Sequence, residues 1–187
     1  MTKPRNELLL WIEAAILLFF TIVQSAAYAT AAFGRTPSEF SVTGWLIAPD
    51  EHGCRMTSGY NTGQGIQVRL DQRLGQAAFI LFDPSFKSLS DGKEYSLDIA
   101  FQFGRTLRDA FEDVTFMPLV GADTTAVAAV MDSYEFLPAL ARNDSIVILR
   151  GRALIAKLSL KGSAEAVRAL KQCADAVAKS NPSDPLE

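Results

Sequence analysis

The chain has 187 residues, 18 basic and 21 acidic side chains, a net charge of −3 and 49% hydrophobic content. That is one domain's worth of sequence, too apolar for a disordered chain and too charged for a polytopic membrane protein. A mildly acidic chain lacks the clustered positive surface that phosphate contacts need, so no nucleic-acid partner is expected.

The N-terminus differs from the rest. Lys3 and Arg5 make a basic start, and an apolar stretch follows from Leu8 to Val23, interrupted by Glu13 and Thr21. Its uncharged part, Ala14 to Val23, falls short of the roughly 20 apolar residues of a membrane-spanning helix and has the length of a signal-peptide core. Ala27 and Ala29 supply small residues at the two positions a signal peptidase reads, so residues 1–29 read as a leader cut after Ala29. The alternative is an uncleaved anchor from Leu8 to Phe33, in which Glu13 reaches the interface, and only then is the membrane a partner. Either way the body of the chain lies outside the cytoplasm, periplasmic or secreted in the first case and tethered to the inner membrane in the second.

Residues 30–180 form the expected domain, and 181–187, with Pro182 and Pro185, a frayed tail. From Thr43 onward short apolar runs alternate with Gly, Asp and Asn, the pattern of strands and turns. Gly44 to Ala48 and Gly53 to Tyr60 flank a turn at Pro49-Asp50-Glu51. Ile66 to Leu70 alternates, while Ala77 to Phe82 is continuous, as in a strand buried on both faces. Ser90 to Lys93 is a turn, and Tyr95, Leu97, Ile99, Phe101 and Phe103 line one side of the next strand. Val114 to Leu119 is a further strand, and Val120 to Met131 is strand-like. Asp132 and Glu135 can cap a short helix from Tyr134 to Ala141, which Pro138 should kink or end. Ser145 to Leu149 and Ala153 to Ser159 flank Arg150-Gly151-Arg152 as a hairpin. From Ser163 to Lys179 the residues Ala166, Val167, Leu170, Cys173, Ala174 and Val177 share one helix face. The expected architecture is α+β: an antiparallel sheet or sandwich, a short helix and a C-terminal helix packed on it.

Cys54 and Cys173 are the only cysteines and are 119 residues apart. Two distant cysteines in an exported chain point to one disulfide, and Cys173 sits on the buried face of its helix. Separately buried thiols are the plain alternative. Tetrahedral zinc would have one histidine, His52, to add, too few ligands without carboxylates, so neither metal nor cofactor is expected.

Motifs for chemistry are sparse. There is no H-E-x-x-H, Walker loop, G-x-G-x-x-G, G-x-S-x-G or C-x-x-C in the sequence. Asp50, Glu51, His52 and Cys54 cluster, but a bridged cysteine is no nucleophile. Ser90-Asp91-Gly92-Lys93 matches S-x-x-K without its partner motifs and reads as a turn. Phe101, Phe103 and Arg105 end a strand where aromatics and arginine would make partner-binding surface, with burial in the core as the plain alternative for the rings, and Arg105, Arg108, Asp109, Glu112 and Asp113 read most simply as a solvated mixed-charge face.

Phe136-Leu137-Pro138-Ala139-Leu140, the strand pair at Ile146 to Leu158, and Ser159-Leu160-Lys161-Gly162-Ser163 leading into Ala166, Leu170 and Cys173 resemble the tail of small exported proteins of Gram-negative, especially alphaproteobacterial, bacteria. The segment is similar there to the invasion-associated locus B group. The resemblance covers about forty residues; it implies a periplasmic β-rich domain and carries over no catalytic residue and no role in invasion. Two functions remain in view. One is a non-enzymatic binding protein whose partner is another envelope protein, in a narrower version an inhibitor of an envelope enzyme. The other is a periplasmic hydrolase built from Asp, Glu and Ser, which would need two carboxylates about 5–10 Å apart in a pocket with one pKa raised.

Overall fold

A computed structural model describes residues 38–51, 53–87, 89–90, 92–120 and 125–180. The expected leader and its cleavage point, the tail at 181–187 and His52 lie outside the described residues. The strands are β1 (Phe40–Val42), β2 (Trp45–Asp50), β3 (Gly53–Gly59), β4 (Gly65–Asp71), β5 (Gln76–Phe82), β6 (Tyr95–Phe103), β7 (Thr106–Val120), β8 (Thr125–Asp132), β9 (Ser145–Arg150) and β10 (Ala153–Ser159). The helices are α1 (Ser133–Arg142) and α2 (Ser163–Ser180). All pairings are antiparallel, in one sheet ordered β1-β2-β3-β4-β5-β8-β7-β6-β9-β10. The chain is α+β and mostly β, as its patterning indicates.

The long strand β7 joins the two parts of this sheet. Its end, Met117 to Val120, pairs with β8, whereas Thr106 to Phe116 pairs with β6. Two register shifts bend it: one residue too many stands against β6 near Arg108, and another at Glu112–Asp113, where Asp113 has φ +53°. The Asp113 amide donates to the Asp98 carboxylate at 3.0 Å, which holds this left-handed turn in place. Sequence patterning starts this strand only at Val114, because each extra residue flips the inside–outside alternation and the charged stretch from Arg105 to Asp113 no longer reads as a strand.

The helices pack on the sheet and against each other, α1 on β5, β6 and β8 and α2 on β1 to β4. α1 begins at Asp132, whose carboxylate accepts the Tyr134 amide at 2.7 Å. Pro138 does not end it. The helix continues to Arg142 because Phe136, Leu137, Ala139 and Leu140 are buried and hold both sides of the proline. The Phe136 ring lies 5.3 Å from Phe79 of β5, 5.8 Å from Phe101 of β6 and 6.0 Å from Phe111 of β7. One side chain of α1 thus touches both parts of the sheet.

α2 buries the face expected of it, including Cys173, and packs across β2 and β3. Cys54 of β3 and Cys173 form a disulfide with Cα atoms 6.0 Å apart, inside the ordinary range. The start of α2 is tied to the first hairpin. The Thr43 hydroxyl donates to the Gly162 carbonyl at 2.9 Å, and the Trp45 indole N–H to the Lys161 carbonyl at 3.1 Å. Gly162 has φ +80°, and a Cβ there would stand 2.5 Å from the Thr43 hydroxyl oxygen, so only glycine fits this crossing.

Candidate functional site

Among the hollows of the described surface, three are candidate sites. One of about 270 Å³ lies beside Asp50, Glu51, Arg69 and Asp71. It contains Asp50, Glu51 and Cys54 of the cluster singled out in the sequence, but Cys54 is bonded to Cys173 and Asp50 is paired with Arg69 at 3.5 Å. A bridged cysteine offers no thiolate, so this hollow has no nucleophile of the expected kind.

The second hollow, about 540 Å³, is a cleft between β7 and α1. Its strand wall is Arg108, Asp109, Ala110 and Phe111, four consecutive residues. Its helix wall is Tyr134, Glu135, Pro138, Ala139 and Arg142, the spacing of one helix face. Tyr134 is 79% exposed. A third hollow of about 410 Å³ shares Arg142 and continues past Phe103 to Lys161 and Gly162.

One ion pair fixes the end of the cleft. Arg142 donates to both carboxylate oxygens of Asp109, by Nε at 3.0 Å and by Nη2 to the second oxygen. The Asn143 amide donates to Asp109 at 2.8 Å and to the Ala139 carbonyl at 2.8 Å. The Arg142 hydrogen bond is the main cause holding the Asp109 carboxyl below its ordinary range. Burial opposes it, and Asn143 and the charges of Arg142 and Arg108 reinforce it. Burial pushes the Asp83 carboxyl up, but bonds from Ser85 and Gln64 outweigh that and its pKa too is lowered. Both carboxylates are therefore favoured as anions, the reverse of what a general acid requires.

The sign for stability follows. A carboxyl whose folded pKa lies below its unfolded value of about 3.9 stabilises the fold above that pH and loses the contribution as pH falls through the folded value. Asp109→Asn should lower the melting temperature by a few degrees at pH 7 and leave it level with the parent chain once the carboxyl is protonated, near pH 2. A gap that stays constant across that range would remove the ion pair as its cause.

Of the residues proposed from sequence for partner contact, Phe103 and Arg105 stand at the β6–β7 turn and are exposed, Phe103 by 46%. The Arg108 guanidinium lies 4.3 Å from the centre of the Phe103 ring. Phe101 belongs elsewhere. It is fully buried against Phe111 and Phe136, because it shares the inward face with Phe103 but sits one step deeper in the strand. Sequence reasoning missed the cleft itself and with it Ala110, Tyr134 and Pro138. The visible signals were the proline inside an apolar helix and the mixed charges at Arg108 and Asp109. No protein-family model, curated protein or solved structure matches this chain. Among the described residues, no group of three or more His, Cys, Asp and Glu could hold a metal, and no helix is long and apolar enough to cross a membrane.

Proposed function

We propose that the chain is a non-enzymatic binding protein of the bacterial envelope that engages a partner protein at the cleft between β7 and α1. The observation that carries this reading is the cleft's composition: the exposed Tyr134 and the half-buried Phe111 stand around a polar centre in which Asp109 is already tied to Arg142 and Asn143, and the exposed Phe103 lies beside the cleft under Arg108. Aromatic residues and arginines around such a hollow are the residue types that dominate interface energetics. Export is supported by the disulfide, since such bonds persist in oxidising compartments, and by the leader-like residues 1–29. The resemblance to small exported proteins of Gram-negative bacteria agrees with it. A hydrolase is the weaker reading, because Asp83 and Asp109 are both held as anions.

The test is site-specific photocrosslinking in cells that make the protein naturally. A photoreactive residue at Leu107 or Tyr134 should give one discrete protein adduct, while the same residue at Lys157 on the far edge strand β10 gives none. Equal labelling at all three positions, or no adduct at any, would sink the proposal.

A further inference from the structure

We propose that the β7–α1 cleft takes an extended segment of its partner as an added antiparallel strand on the free edge of β7. This deepens the binding reading above and rests on it.

Successive residues of a regular strand point to opposite faces, and Asp109, Ala110 and Phe111, which pair regularly with β6, all line the hollow, so it reaches the strand's edge, where backbone amides and carbonyls are presented. That edge is open. Among the described residues β8 pairs with β7 only from Met117 to Val120, and from Thr106 to Phe116 the strand has β6 on one side alone. Every second residue of such an edge directs its N–H and C=O outward. The two bulges bracket the stretch Asp109–Phe111, which keeps regular pairing with Ile99–Phe101 and so offers a short regular edge of three residues for strand addition.

The opposite wall matches in length and chemistry. Tyr134 to Arg142 spans about 12 Å of helix, and Arg108 to Phe111 about 10 Å of extended strand. Pro138 has no amide hydrogen, so the carbonyl of Tyr134 loses its usual partner one turn later, and both residues line the cleft. A helix-interior proline, otherwise a cost, here leaves a backbone acceptor without its helical partner at a residue that lines the cleft.

Charge sets direction and composition. Arg105 and Arg108 stand at the hairpin end, whereas Glu112, Asp113 and Glu135 stand at the other. Arg142 is paired with Asp109, which places the C-terminal end of α1 at the hairpin end and Glu135 at the acidic one. An antiparallel segment would therefore carry a basic residue first, a small or apolar residue at its centre opposite Ala110, and an acidic residue last.

The probe is a capped, fluorescently labelled peptide with the core Lys-Thr-Val-Thr-Glu, compared with the charge-reversed Glu-Thr-Val-Thr-Lys, against the disulfide-intact chain. Binding should shift backbone NMR signals within 107–113 and 134–142 and no others, with the reversed peptide at least fivefold weaker. N-methylation of one alternating set of peptide amides should abolish binding, and of the other set leave it. Pro138→Ala returns a donor to Tyr134, so it should raise the melting temperature while weakening the peptide several-fold, a combination that a merely structural proline would not give. Equal affinity for the two peptides, or shifts elsewhere, overturns the added strand. Should that occur while photocrosslinks at Leu107 still form, the strand falls and the binding reading stands. Forward-peptide preference without any adduct in cells keeps the strand and sinks the envelope partner.

Discussion

Replacing Cys54 and Cys173 together by Ala is expected to lower the unfolding free energy by about 3–5 kcal/mol in a denaturant titration. In the chain-entropy account, a crosslink between residues 119 apart removes close to 5 kcal/mol of unfolded-state freedom, and native strain reduces what is realised. The location raises the effect here. α2 packs chiefly on β2 and β3, and the bridge joins it to β3 at mid-helix, between the Trp45–Lys161 bond at its start and the Gln72–Asp175 bond nearer its end. Both cysteines are buried, so Ala is the appropriate replacement, since a serine hydroxyl would add the cost of an unpaired polar group. Amide exchange should then speed up first in α2, ahead of β5 and β8. A loss below about 1 kcal/mol would show that the apolar face of α2 holds the helix without the bridge.

That bridge was legible in the sequence for a physical reason. The helix face carrying Cys173 repeats with a clean 3.6-residue period, and the strand carrying Cys54 is bounded by a Gly at each end. Strands with regular alternation were legible in the same way; β6 runs from Tyr95 to Phe103 as the pattern indicates. β7 was not, because two bulges scramble its alternation, and a bulge depends on the partner strand rather than on local sequence. Phe101 and Phe103 show a second limit. Alternation puts both on the inner side, yet only Phe101 has core beneath it, and where a core ends along a strand is set by the helix that packs there. The cleft was hidden more deeply still. It exists because β8 stops pairing with β7 after Met117, a non-local fact that no window of residues contains.

Phe136→Ala should cost about 3–5 kcal/mol, comparable with the disulfide, through loss of buried ring and the cavity left behind. Its ring meets Phe79, Phe101 and Phe111, which belong to three strands from both parts of the sheet, so the surrounding chain cannot collapse onto the gap from one side. Phe136→Leu keeps much of the volume and should cost no more than about 1.5 kcal/mol. The two substitutions therefore separate volume from shape in the same chemical unfolding experiment. Phe111 makes the result bear on the cleft. It is half-buried, touching Phe136 and Phe101 on its inner side and lining the cleft as part of the β7 edge. Phe136→Ala and Phe111→Ala should then be non-additive by about 1 kcal/mol in a double-mutant cycle, the range of an aromatic pair. Coupling of that size would mean that the core sets the position of the binding edge. Strict additivity would mean that the Phe111–Phe136 contact does not hold the edge, leaving its position to the β6 ladder and the Arg142–Asp109 pair.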